Sequence, residues 1–476
     1  MMKKVIPLLF TVLCLLLCVI PSLGMIVAPS TQTIGNEKRG ELPSLKNEDG
    51  SLNSDYPEQA GDYYSKQFAL RAQAVDLDAQ VQSGVFRTSN LDTVTVGSDG
   101  WLYYSSTLDD YLGRNTLSRR EVNGIVHNLL LAQEYVESQG GSFLFTIAPN
   151  KNTLYPAHMP YYYSKASSDV RNRDLFTEAV GDSGLNYCDL FTLFQSQDEV
   201  LYLKQDSHWN NKGALLAFNA ILDTIGKSHN DYSEAQVKRS KDFYGDLGKM
   251  IYPTSQKPEY NYYYDIDETY SYTTPTKSVE EGIIKTENPS KSGSLYMYRD
   301  SFGNALLPYF ANAYSSAYFT KAYPVNLAFD TNVFKADTVI FEIAERNMVW
   351  FLERPPVILS PERDLGKLLS DAQTQECDTI KIDAAKSQVN GQYIALSGSL
   401  DGIDCADDAV VYLTVSGDDC LTRTYEAFAT KGDEGDGFVA NIPAADYKDK
   451  HLTIEVTIGT EGQYQVCQSS VDTIDL

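Results

Sequence analysis

Apolar residues recur at Val122, Ile125, Val126, Leu129, Ala132 and Val136, the spacing of one helical face, behind Ser118-Arg-Arg-Glu121, which fits a capping box. Gly140-Gly141 ends that helix, and the apolar run SFLFTIAP, Ser142 to Pro149, predicts a strand leading into the loop NKNTLYP. Asp169 to Val180 reads as a helix, LNYCDL (Leu185 to Leu190) as a strand, Gly213 to Leu222 as a helix and DTVIFEIAE (Asp337 to Glu345) as a strand. In YRDSFGNALLPY, Tyr296 to Tyr298 closes a short strand and Ala305 to Tyr309 begins a helix interrupted by Pro308, with Ser301 on the turn between them. Strands alternating with helices predict an α/β unit with a mainly parallel sheet flanked by helices.

The flanks of this alternation differ from it. Residues 29–92 are polar at first and amphipathic from Tyr63 to Gln82, which predicts a stalk followed by one helix, and the α/β pattern then occupies residues 93–362. Within it, Tyr252 to Tyr272 is rich in tyrosine and has no clear period. That segment predicts an irregular insertion whose rings either pack on one another or stack on sugars. After Pro355-Pro356 the pattern changes to short alternating segments, TIKIDA, YIALSGSL, AVVYLTV and HLTIEVTI, separated by turn residues. They predict a small β-sandwich-like domain over residues 376–476, suited to spacing or partner docking.

Lys3 and Lys4 precede an apolar run from Val5 to Ala28 without a charged residue. At ~1.5 Å per residue this run is long enough to span a bilayer. It lacks a small-x-small exit and a lipoprotein-type cysteine, so residues 1–28 read as an uncleaved anchor, with the basic end in the cytoplasm and the rest extracellular. A cleaved signal peptide and a secreted product is the other open reading.

Of 476 residues, 43% are hydrophobic and 22% charged, which is the composition of folded protein, and the length implies two or three folded units. A net charge of -25 excludes a general nucleic-acid partner, because binding a phosphate backbone needs concentrated Lys and Arg. Cys14 and Cys18 fall in the apolar run, Cys188 stands alone, and Cys377, Cys405, Cys420 and Cys467 cluster near the C-terminus. No Cys-x-x-Cys pair points to a metal site, and no cofactor motif is present. The last four cysteines either form two disulfides, in a pairing the sequence does not reveal, or stay as buried thiols.

A serine on a strand-to-helix turn more often caps a helix than attacks a carbonyl, unless a base takes its proton. Of five histidines, His208 in KQDSHWNNKG stands out, two residues after Asp206. In a tight or extended segment Asp206 holds Nδ1 and leaves Nε2 free. By spacing alone, Asp206 as a helix-entry cap beside a surface histidine is an equal reading.

QDSHWNNKG resembles the Asp-x-His-Trp motif, and YRDSFG the Gly/Arg-Asp-Ser-Phe motif, of the alginate O-acetyltransferase-like proteins, an SGNH-hydrolase-like group. DGWLYY (Asp99 to Tyr104), IAPNKNTLYP (Ile147 to Pro156), GDLGKM (Gly245 to Met250) and FEIAERN (Phe341 to Asn347) agree in order, so the resemblance runs from about Tyr63 to Asn347. The histidine block precedes the serine block, which implies the circularly permuted SGNH-hydrolase-like sheet of that group. The resemblance further implies Ser301 as nucleophile, His208 as general base and acid, and Asp206 as its orienting carboxylate. Asp300 then belongs to the serine motif and is not the triad acid. Arg299, Asn150, Lys151 and Trp209 become candidates for oxyanion or substrate contact, and Arg346 reads as half of a structural Glu-Arg ion pair. The implied activity is transfer of acetyl groups to a polysaccharide acceptor, with a multipass membrane acyltransferase as donor partner. A carbohydrate acetylesterase and a noncatalytic cell-surface binding protein are the rival functions. The Tyr-rich insertion and the C-terminal module lie outside the core resemblance, which puts alginate itself in doubt as the acceptor.

Overall fold

The computed structural model describes residues 2–27, 41–166, 168–370, 372–386, 391–417, 420–432, 435–447, 450–460 and 462–469. Its centre is a seven-stranded sheet. In chain order its strands are β1 (Ser142–Ala148), β2 (Tyr187–Cys188), β3 (Ser271–Tyr272), β4 (Ile283–Glu287), β5 (Ser294–Tyr298), β6 (Ser316–Thr320) and β7 (Thr338–Ala344). In space they run β2-β1-β7-β5-β6-β4-β3. The pairs β2/β1, β1/β7, β7/β5 and β5/β6 are parallel, whereas β4 and β3 add an antiparallel edge. β7 is buried along its whole length, as a strand covered on both faces must be.

Two apolar layers cover the faces. On one, α2 (Arg119–Ser138; α1 is the N-terminal helix below) packs Val122, Ile125, Leu129, Ala132 and Val136 against Phe143, Phe145 and Phe341. Ser118 and Glu121 form the full capping box expected from sequence. On the other, α3 (Asn211–Ile225) packs Ala214, Phe218, Ile221 and Leu222 against Leu144, Met297 and Ile340. Together these form the α/β architecture, a mainly parallel sheet flanked by helices, that the alternation predicted.

Several local expectations are corrected. Pro308 does not interrupt a helix: it sits in the first turn of α4 (Leu307–Ala313), where the missing N–H costs nothing. The amphipathic stretch from Tyr63 is two helices, Tyr56–Gln67 and Arg71–Val81, parted where Leu70 turns left-handed at φ 63°. The Tyr-rich segment is ordered into strands: Glu259–Tyr264 pairs antiparallel with Val237–Phe243, and β3 joins the central sheet.

Beyond β7 the chain builds two facing sheets, one of six strands and one of four, around Ile394, Leu413, Val415, Tyr425, Phe438 and Ile454. Cys377 and Cys467 lie opposite each other on neighbouring strands and are disulfide-bonded, with Cα atoms 4.9 Å apart. Cys405 is a free thiol, so it is in no second bridge, and the Cys420 side chain lies outside the described residues. The sandwich docks on α2: Asn128 Nδ2 donates to the carbonyls of Ala429 and Phe351, and Arg363 bridges to Glu134.

α1 (Met2–Val27) contains the span Ile6–Met25, with a mean hydropathy of 2.6, which is long and apolar enough to cross a membrane or serve as a signal sequence.

Candidate active site

Three chain segments meet at the carboxyl ends of adjacent parallel strands, where open α/β sheets gather ligand-binding loops. β1 delivers Asn150 and Lys151, β5 delivers Ser301, and β7 delivers Glu345. A fourth segment reaches in from the side, as a tight hairpin loop closed by the Tyr202–Trp209 bridge and by the bonds Leu203 N–H to His208 O and Asn210 N–H to Leu201 O. That loop carries Asp206 and His208.

The equal readings for Asp206 are resolved by its neighbours. Asn210, not Asp206, caps α3, accepting from Gly213 N–H at 3.0 Å. Asp206 Oδ1 instead takes His208 Nδ1 at 2.7 Å and the His208 backbone N–H at 2.9 Å, while Oδ2 takes Asp246 N–H at 2.8 Å. With the Nδ1 proton kept on the imidazole and donated to Asp206, His208 Nε2 accepts from Ser301 Oγ at 2.7 Å. The ring rests edge-on against Phe302, which packs on Trp209.

Ser301 does no capping. Asp300 does that work, its Oδ1 accepting Phe302 N–H at 2.8 Å, while its Oδ2 accepts Ala344 N–H at 2.7 Å and ties the serine turn to the end of β7. Among the described residues the Ser301 backbone N–H donates to no protein acceptor.

The electrostatics follow this geometry. Burial works to raise the Asp206 carboxyl, but the hydrogen bond and charge of His208, with the N–H groups of Asp246 and His208, hold it below the usual carboxylate range. Burial likewise works to lower His208, and the bond and charge of Asp206, backed by Asp246 and Asp300, more than offset it, so its pKa is raised.

Asp246 is the residue that motif reading passed over. It lies in the GDLGKM block and comes within 3.7 Å of His208 Nδ1. Ser207 donates to it through both N–H (2.7 Å) and Oγ (2.5 Å). Gly245 makes this approach possible, since a Cβ there would stand 2.2 Å from the Gln205 carbonyl oxygen.

The four tentative contact residues are placed differently from Ser301 and His208. Trp209 is buried in the core between Phe194 and Phe302. Lys151 spends its ammonium on the carbonyls of Leu203, Lys204 and Asp206. Asn150 donates its N–H to Glu345 and its amide to Asp110. Arg299 donates to the carbonyls of Val279, Glu281 and Asp300 and to Asn304. All four brace the loops that carry the reactive groups. Arg346 is also reassigned: its guanidinium lies over the Tyr104 ring, and Glu345 bonds Asn150 and Thr153 instead.

Residues 94–291 match the family model described as the SGNH hydrolase-like domain of the acetyltransferase AlgX, a span that contains Asp206 and His208 and ends before Ser301. No curated protein matches the chain. Among solved structures, a DHHW family protein from Eubacterium siraeum is 18% identical over 47% of this chain and 85% of its own, with a TM-score of 0.38. Bacillus cereus PatB1, solved with a sulfonyl adduct, is 16% identical over 55% of this chain and 96% of its own, with a TM-score of 0.42. Pseudomonas aeruginosa AlgX is 13% identical over 84% and 99%, with a TM-score of 0.36. Across residues 94–291, which hold the histidine half of the site, this chain is thus similar to the SGNH hydrolase-like domain of the alginate O-acetyltransferase-like proteins.

Proposed function

We propose that the protein is an extracellular O-acyltransferase that moves acetyl groups to hydroxyls of an exopolysaccharide or cell-wall polymer through an acyl-serine intermediate. The observation that carries this reading is the unbroken chain of hydrogen bonds from Asp206 through His208 to Ser301. Ser301 Oγ attacks the acyl carbonyl while His208 Nε2 takes its proton. The oxyanion faces the free Ser301 N–H, and collapse expels the leaving group with the proton from His208. An acceptor hydroxyl then attacks the ester, His208 takes its proton, and Ser301 leaves reprotonated as the acetylated product departs. Asp206 stabilises the imidazolium in both halves without itself taking the proton.

In this reading α1 anchors the protein, the folded part stands outside the cell, and a multipass membrane acyltransferase supplies the acyl group. Carbohydrate acetylesterase activity is the second reading, because the His208 side chain is 23% exposed and water reaches the same base. The test is to incubate the full-length protein in detergent with an activated acetyl ester, with and without oligosaccharide, and to follow it by mass spectrometry. An acetyl adduct on Ser301 that is absent in Ser301→Ala supports the enzyme, and acetylated sugar selects transferase over esterase. Identical behaviour of wild type and Ser301→Ala overturns both and leaves a binding protein.

A further inference from the structure

The antiparallel ribbon of Val237–Phe243 and Glu259–Tyr264 plays no part in the relay, yet it grows out of the same loops. Glu259 accepts the N–H groups of Lys204 and Gln205, at 2.5 and 3.0 Å, immediately before Asp206. The other strand runs through Gly245 directly into Asp246, the neighbour of His208. Register places Arg239, Lys241, Tyr260 and Tyr262 on one face. The Arg239 guanidinium lies 3.9 Å from the Tyr260 ring centroid and the Lys241 ammonium 5.6 Å from it, and Tyr260 remains 47% exposed.

In a chain of net charge -25, this face concentrates positive charge. Among the described residues neither Arg239 nor Lys241 is within salt-bridge distance of a carboxylate. Two acids of the ribbon, Asp242 and Glu259, belong to the opposite face, where Tyr263 donates to Asp242 at 2.8 Å. Lys212, over the Tyr262 ring, is paired with Glu199. Arg239 is exposed while its guanidinium lies over Tyr260, and a guanidinium fork of this kind takes carboxylate or phosphate oxygens in pairs. An exposed tyrosine ring also offers a flat apolar surface to the C–H face of a sugar.

We infer that the Arg239–Lys241–Tyr260 face is an acceptor subsite that binds an anionic glycan, a sugar polymer bearing carboxylates or phosphodiesters, a reading that rests on the acyltransferase function proposed above. Lys241 lies five residues before Asp246, at most roughly 17 Å at ~3.3 Å per residue, and a ligand that touches both this face and the relay is an oligomer rather than a single sugar.

The test titrates full-length protein in detergent, at low salt, with a polygalacturonate oligosaccharide, a poly(glycerol phosphate) oligomer and a neutral cello-oligosaccharide of similar length. Wild type is expected to bind at least one anionic probe roughly tenfold more tightly than the neutral one, with an affinity that falls as salt rises. The preferred anionic probe tells uronate from phosphodiester. Arg239→Gln/Lys241→Gln is expected to lose roughly tenfold on that probe and nothing on the neutral one, with an unchanged melting temperature. The inference is overturned if wild type binds no anionic probe, binds the neutral one as tightly, or binds anions no better than the double variant. Acylation of Ser301 by a small acetyl ester, followed in parallel, is expected to be the same in both proteins. Absence of acylation in wild type defeats the enzyme reading, while the titrations still decide whether the ribbon binds anionic glycan.

Discussion

The Lys151 ammonium lies 2.5 Å from the carbonyl oxygen of Asp206, and its other hydrogens reach the carbonyls of Lys204 at 3.0 Å and Leu203 at 3.1 Å. One buried cation thereby holds the backbone of the loop that presents the carboxylate and the base. Burial pushes its pKa down to about 8, against the opposing charges of Asp206, Asp246 and Glu259. Lys151→Met strips the donor from three carbonyls, and leaving such groups unsatisfied costs about 1–3 kcal/mol. A lower melting temperature and slower Ser301 acylation are expected together. Loss of acylation with unchanged stability would instead mark Lys151 as a direct oxyanion donor.

The raised pKa of His208 sets the pH dependence. In the proposed mechanism His208 works as neutral imidazole, so the acylation rate is expected to climb with pH and to level off only above the ordinary histidine value of 6.5. Asp206→Asn removes the bond and the charge that raise it, so the midpoint moves to lower pH. The same change lowers the plateau by roughly two to four orders of magnitude, since the tautomer and the imidazolium both lose their partner. Initial rates of acyl-serine formation across pH 5 to 9 check both effects, and an unmoved midpoint in the variant would separate Asp206 from the base.

Glu345 contributes a pH effect of opposite origin. It is buried at the end of β7, and burial together with the Asp110 charge, against the donors Asn150 N–H and Thr153 Oγ1, pushes it up to about 7 from 4.5. A carboxyl whose folded pKa is raised keeps its proton in the folded state while the unfolded chain has lost it, so stability falls as pH rises from 4.5 to about 7. The shift corresponds to about 3 kcal/mol across the window. Glu345→Gln is expected to flatten this slope and to exceed wild type in stability above pH 7. Urea denaturation at pH 5 and pH 8 reads the difference.

The parts of this site that sequence reading could reach were local ones. The Ser118–Glu121 capping box and the apolar runs of β1 and β7 depend on residues next to each other in the chain, and each formed near where its pattern placed it. Asp206 and His208, two residues apart, were legible as a candidate pair, but the 93-position separation of His208 and Ser301 was bridged only by motif resemblance. Contacts made through backbone carbonyls leave no mark on side-chain pattern, so the bonds of Lys151 and Arg299 to the loop carbonyls could not be read from the sequence. Asp246 depended on the close approach that Gly245 permits. The strand Glu259–Tyr264 escaped because its buried position is polar, Asn261 accepting from Asn211 N–H, while its tyrosines are partly exposed.

Arg299 offers the sharpest test of brace against catalyst. Its planar fork spans two structures at once: one nitrogen reaches the carbonyls of Val279 (2.9 Å) and Glu281 (3.1 Å), and the other reaches Asp300 O (3.2 Å) and Asn304 Oδ1 (2.5 Å). The residue that precedes the Asp300–Ser301 pair therefore clamps the loop before β4 onto the serine turn. A lysine keeps the charge but is a single point with no fork, so Arg299→Lys cannot satisfy both sides. The expected outcome is faster amide hydrogen exchange over Val279 to Gly282, together with a roughly tenfold slower acylation, because the turn that aims Ser301 loses its outer support. If Arg299 instead met the oxyanion directly, acylation would fall while exchange in that loop stayed as in wild type.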